Sequence, residues 1–259
     1  MRPLSSWIVW TTLSLVLVAC GSDTATTTTP TSTTVTSSST TMPAPTTTAA
    51  AQGPTTTAEE STPTSSSGLP GDPIDFGPAA GDTLAVIGVA HDDVLNLRAA
   101  PGADQDILAG IPPLYSDLIA GGETRQLPGS MWIAVDYGQE SGWVNLRYIG
   151  YLGDTSDATA AVVSNLGENP VAQTMLDLGW IVADSLASDE PASDLVLTVA
   201  PTVGDLGEVT YDVIGLGDDA VRGLRVHVFG QAADGGFSLH AVEVTSLCGR
   251  GVDQDRLCV

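Results

Sequence analysis

The chain has 259 residues, of which 31 are acidic and eight basic, giving a formal net charge of −23. All eight basic residues are arginines, and there is no lysine. Nucleic-acid binding needs a cationic footprint over the phosphates, and this balance excludes it. An apolar content of 42% with only 5% aromatics excludes both a multi-span membrane protein and a wholly disordered chain.

Arg2 supplies the lone positive charge of a signal-peptide n-region. Residues 7–19, WIVWTTLSLVLVA, form an apolar run too short for an ordinary spanning helix and right for a secretory signal. The run ends in Leu17-Val18-Ala19-Cys20-Gly21, which resembles a bacterial lipobox. The resemblance implies that residues 1–19 are a lipoprotein signal peptide and that the Cys20 thiol receives a diacylglycerol. Its membrane partner is then the lipid bilayer, and the protein sits on the extracytoplasmic face of the cell membrane. Two acyl chains make a stable anchor where one would be marginal. An uncleaved anchor or a plain secretory signal are the alternatives, and both also place the remainder outside the cytoplasm.

Only Cys248 and Cys258 remain, ten positions apart. An even pair in an oxidising compartment reads as a disulfide closing a short loop, which contributes roughly 2–4 kcal/mol by restricting the unfolded chain. Half of a metal site is the competing reading, but no nearby histidine or third cysteine completes a ligand set.

Residues 22–68 are a distinct compositional block in which 19 threonines and nine serines fill 28 of 47 positions. With no aromatic and almost no large aliphatic residue, the block cannot bury enough surface to offset the entropy of ordering, so residues 20–68 are expected to be a disordered tether. Prolines and β-branched threonines extend it, to about 140 Å at full stretch. Either it is an unmodified spacer or its threonines carry O-linked sugars. The chain beyond residue 68 carries 28 acids and seven arginines, a formal −21 over 191 residues. Such a surface repels anionic polymers and favours solubility.

From Asp82 onward, short β-like runs alternate with turn chemistry. In Ala99-Ala100-Pro101-Gly102, Pro101 presets φ and Gly102 accepts a positive φ, as a type II turn requires. Residues 132–137, WIAVDY, alternate as a strand with one buried face. LNLRAAPGAD (residues 95–104) and WIAVDYGQESGWVNLRYIGYL (residues 132–152) resemble the signature strand and closing hairpin of bacterial SH3-like domains. Asn96, Arg98, Pro101, Gly102, Trp132, Val135, Gly142, Trp143, Val144, Tyr151 and Leu152 fall on that pattern. The resemblance implies a small, partly open all-β barrel over residues 80–153, of the kind that holds wall peptides or cross-bridges on surface proteins. The stretch between Ile107 and Trp132 departs from the pattern, so the loops around any cleft are expected to be reshaped. Tyr115, Trp132, Tyr137 and Trp143 are the aromatics available to line a ligand cleft, because rigid rings give contact area at low entropic cost. For Trp132 and Trp143 the competing role is core packing.

Residues 156–259 read as a small α+β domain. Thr155-Ser156-Asp157 offers N-cap chemistry before an apolar stretch, and residues 171–186 place Val171, Met175, Leu178, Ile181 or Val182, and Leu186 at helical spacing with Trp180 at the edge. Beyond Pro191 the period becomes two, with strands expected at 195–199, 208–214, 224–229 and 237–244, and helices packed on that antiparallel sheet. A hairpin centred between Ala233 and Asp234 would place His227 opposite His240, with Glu243 the nearest third metal ligand in sequence. Two solvent-facing histidines are the simpler reading, and Glu243 points to the opposite face from His240 on a regular strand. Asp218-Asp219 and Asp253/Asp255 lack the spacing of a calcium loop. No nucleophile elbow, zincin motif or phosphate loop occurs. The expectation is therefore a non-enzymatic, monomeric surface lipoprotein, with no cofactor and no metal, that binds cell-wall peptide or glycan or a surface protein partner. The alternatives are an envelope enzyme with its catalytic half in residues 156–259, and a structural envelope component without a small ligand.

Overall fold

The computed structural model describes residues 68–259. The expected signal peptide (residues 1–19), Cys20 and the expected tether up to residue 67 lie outside the described residues.

Short apolar runs separated by turns produce the first eight strands. They are β1 (Asp72–Ile74), β2 (Thr83–Val86), β3 (Leu95–Arg98), β4 (Ile107–Ile111), β5 (Leu118–Leu127), β6 (Ser130–Tyr137), β7 (Glu140–Asn145) and β8 (Ile149–Asp157), with a 3-10 turn at Leu146–Tyr148 before the last. The 3-10 turn is capped by Asn145, whose side-chain oxygen accepts from the Arg147 amide at 2.9 Å. Next come α1 (Thr159–Leu166), β9 (Val171–Ala172), α2 (Met175–Asp184), β10 (Asp194–Val203), β11 (Gly207–Ile214), β12 (Val221–Ala233) and β13 (Gly236–Cys248). The strands join antiparallel along a single path, β10-β11-β12-β13-β8-β2-β5-β6-β7-β3-β4, with β1 added on β5 and β9 on β13.

This path corrects the expected fold class of an SH3-like barrel followed by a small α+β domain. Thirteen strands carry the structure, and the two helices are only eight and ten residues long. The strands outgrew the expected ones because β12 and β13 run for 13 residues each, well past the apolar stretches that marked them. Nor do the strands fall into two separate groups. On β8, Ile149 and Gly150 pair with β2, whereas Tyr151 to Asp157 pair with β13. β2 divides its pairing likewise: Thr83 and Leu84 face β5, Ala85 and Val86 face β8.

Two apolar clusters lie on this path. The first is filled by Leu84, Val86, Leu97, Ile111, Leu118, Ile133, Val135 and Val144, all at most 1% exposed. The second lies between β11–β13 and the helices, where Val209, Val213, Val226, Val228 and Val242 meet Val162 of α1 and Leu178 and Val182 of α2. α2 is capped by Thr174, whose Oγ1 accepts from the Asp177 amide and donates to its carboxylate, and it reaches the sheet through Gly179, where a Cβ would collide with Val209. Cys248 and Cys258 form a disulfide with a Cα separation of 5.1 Å. Among the described residues no helix is long and apolar enough to cross a membrane.

One buried ion pair joins the two clusters. The Asp212 carboxylate is fully buried and accepts from Arg225 Nε at 2.8 Å and Nη2 at 2.9 Å. It also accepts from the Gly88 amide at 2.8 Å, while Arg225 Nη2 donates to the Val86 carbonyl at 2.9 Å. Removing one partner of such a pair leaves an uncompensated buried charge. Asp212→Ala is expected to lower unfolding free energy by about 3–5 kcal/mol, and a double replacement with Arg225→Met to cost less than the sum of the singles. Chemical denaturation of the four proteins measures the coupling, and additive losses would contradict it.

A second polar tie is Tyr151 of β8, whose hydroxyl donates to Asp82 Oδ2 at 2.6 Å ahead of β2. Burial, then the hydrogen bond and charge of Asp82, push its ionisation well above the ordinary 10.0. A raised folded value means that stability is intact below the unfolded pKa and declines as pH rises past it. Urea midpoints should therefore fall between about pH 9 and pH 11, and Tyr151→Phe should show a shallower fall over the same range.

Candidate functional site

The aromatics expected to share a cleft are divided by the strand geometry. Tyr115 and Tyr137 meet edge to face, with ring centroids 4.8 Å apart and planes at 81°, and both pack half-buried against the first apolar cluster. Trp132 on β6 and Trp143 on β7 are buried at 4% and 6% exposure. They sit on the face opposite Ile133, Val135 and Val144, because successive strand residues alternate faces. The Trp132 indole nitrogen donates to Ser130 Oγ at 3.0 Å. Of the four, Trp132 borders an open groove, a volume of about 500 Å³ shared with Asn96, Arg98, Tyr148 and Val196. Arg98 is committed there to the Gln105 carbonyl at 2.6 Å, so it supports its own loop.

A larger groove, about 790 Å³, opens along the seam between the first eight strands and the start of β12. Its walls come from four places: the strap after β1 (Asp75 to Pro78), the β5–β6 turn, the 3-10 turn at Asn145 to Arg147, and the start of β12 with Gly249 and Arg250. Phe76 stands 59% exposed at this groove, and Met131 and Leu146 add apolar wall. β1 holds the strap by pairing with β5, and Arg125, itself 5% exposed, binds Glu123 at 2.6 Å and the Gly71 carbonyl at 3.2 Å.

The guanidinium of Arg222 donates to three carbonyls of the 3-10 turn and its exit: Leu146 at 3.1 Å, Ile149 at 2.9 Å and Arg147 at 3.2 Å. The side chain thus caps the end of the turn from β12. Burial, and then the charge of Arg147, lower the Arg222 pKa from its ordinary value. Arg147 and Arg250 remain largely exposed, Arg147 at 3.3 Å from Asp194 and Arg250 against Asp219.

The histidine pairing suggested by the sequence does not form. The β12–β13 hairpin turns at Asp234 and Gly235, with Ala233 opposite Gly236, and a register shift next to Gly230 leaves His240 outside the pairing. His227 instead faces Glu243 in register, lies 3.2 Å from Glu208 Oε2, and packs its ring 4.1 Å from Phe229. Asp218 accepts from the Ala220 and Val221 amides, which hold its carboxyl below the usual range, and Asp253 accepts from Asp255 and Leu257. Both acids serve their own loops. Among the described residues no three histidine, cysteine or acidic side chains are grouped to hold a metal ion.

Sequence reasoning missed Phe76 and Arg222. The only signal for Phe76 was a lone aromatic in a Gly-Asp-Pro stretch, and Arg222 becomes informative only once β12 lies beside the 3-10 turn. Compared with known proteins, the chain matches no family model, no curated protein and no solved structure.

Proposed function

We propose that the chain is a non-enzymatic surface lipoprotein. Lipid at Cys20 anchors it on the extracytoplasmic face, and the tether presents the β-sheet body to wall peptide or glycan, or to an exposed segment of a surface protein. The leader pattern and the threonine-rich composition support the address. In this reading the ligand occupies the 790 Å³ seam groove. The observation that carries the binding role is that groove: open and lined by strap, turn and strand backbones, with an exposed phenylalanine where water would otherwise be favoured. A rigid aromatic ring beside convergent polar groups offers a ligand contact area at low entropic cost.

Full-length protein in mild detergent should be retained on purified wall sacculi, and Phe76→Ala should weaken retention about tenfold while leaving the melting temperature unchanged. Tyr115→Ala, which opens the edge-to-face pair, should lower the melting temperature instead. Retention that is absent, or indifferent to Phe76, would refute the groove as the wall-binding site.

A further inference from the structure

In a chain of net charge −23, three of only eight arginines line one groove. Arg147, Arg222 and Arg250 are opposed there by Asp75 and Asp219, leaving the lining locally positive. Elsewhere the acidic surface repels anions, so an anionic ligand is drawn selectively to this seam.

The three guanidinium groups differ in how they are held. Arg222 is anchored on three backbone carbonyls and is a fixed positive charge of the groove. Arg147 and Arg250 are 66% and 53% exposed, and their partners Asp194 and Asp219 are 67% and 78% exposed. Exposed pairs of this kind contribute little, so a ligand can displace either partner at small cost. Both displaceable partners are carboxylates, the group whose planar fork matches a guanidinium. Phe76, Met131 and Leu146 flank these charges with apolar surface.

We propose that the seam groove binds a peptide through its free C-terminal carboxylate, which replaces Asp194 and Asp219 on the guanidinium groups of Arg147 and Arg250 while Phe76 covers the adjoining residues. The inference rests on the seam groove being the ligand site of the proposed function, and it names the ligand class.

The test titrates full-length protein in detergent with N-acetyl-trialanine as the free acid, with its C-terminal amide, and with inorganic phosphate, following groove amides by nuclear magnetic resonance. The free acid should bind at least tenfold more tightly than the amide, and added salt should weaken it. Arg147→Gln with Arg250→Gln should remove that preference without moving the melting temperature, since both side chains are exposed. Equal affinity for acid and amide, a preference that survives the double substitution, or tighter binding of phosphate would each overturn the carboxylate assignment. If the acid does not bind while Phe76-dependent retention on sacculi persists, the carboxylate inference falls and the groove reading stands. Loss of both overturns both.

Discussion

The Asp212 carboxylate has no contact with solvent, and every strong bond it makes runs to Arg225 or to the backbone after β2. That arrangement constrains the rest of the body. A buried charge is tolerated only when paired and hydrogen-bonded, so β11 and β12 must present Asp212 and Arg225 side by side, and the Val86-to-Gly88 backbone must lie against them. Satisfying one carboxylate thus sets the position of one apolar cluster relative to the other. The groove along their seam inherits that position.

Strands β2 and β8 transmit the same constraint through the main chain. Each gives part of its length to the first cluster's strands and part to a strand across the seam, so neither cluster can shift without breaking ladder bonds. Arg222 adds a third tie by capping the 3-10 turn from β12. A groove framed this way has rigid sides, which lowers the ordering cost of binding. Its charge is equally a product of the seam, because Arg147 comes from one side of it and Arg222 and Arg250 from the other.

Much of the local structure was legible. The Pro101-Gly102 turn chemistry calls for a positive φ at Gly102, and Gly102 has a φ of 135°. The cysteine spacing pointed to the Cys248–Cys258 disulfide, which is present. β5 was not legible: Gly121 and Gly122 interrupt its alternation, and the register shift between Ala120 and Thr124 conceals a ten-residue strand within what reads as a loop. The aromatic residues were visible as residues but not as neighbours, since face alternation sends Trp132 and Trp143 away from the apolar cluster that Tyr115 and Tyr137 pack against.

The sequence by itself determined the features that composition and short-range pattern control: the acidity, the absence of lysine, the separation of a threonine-rich block from a β-rich body, and the ring closed by the last two cysteines. These depend on neighbours within a few residues, where periodicity and turn chemistry act. Only the tertiary structure decided that β8 pairs with β13, that Asp212 is matched by Arg225 and Gly88, and that Phe76 shares a groove with Arg222 and Arg250. Those partners lie between 13 and about 170 positions apart, and what pairs them is strand register and the need to satisfy buried charge, neither of which a local window contains.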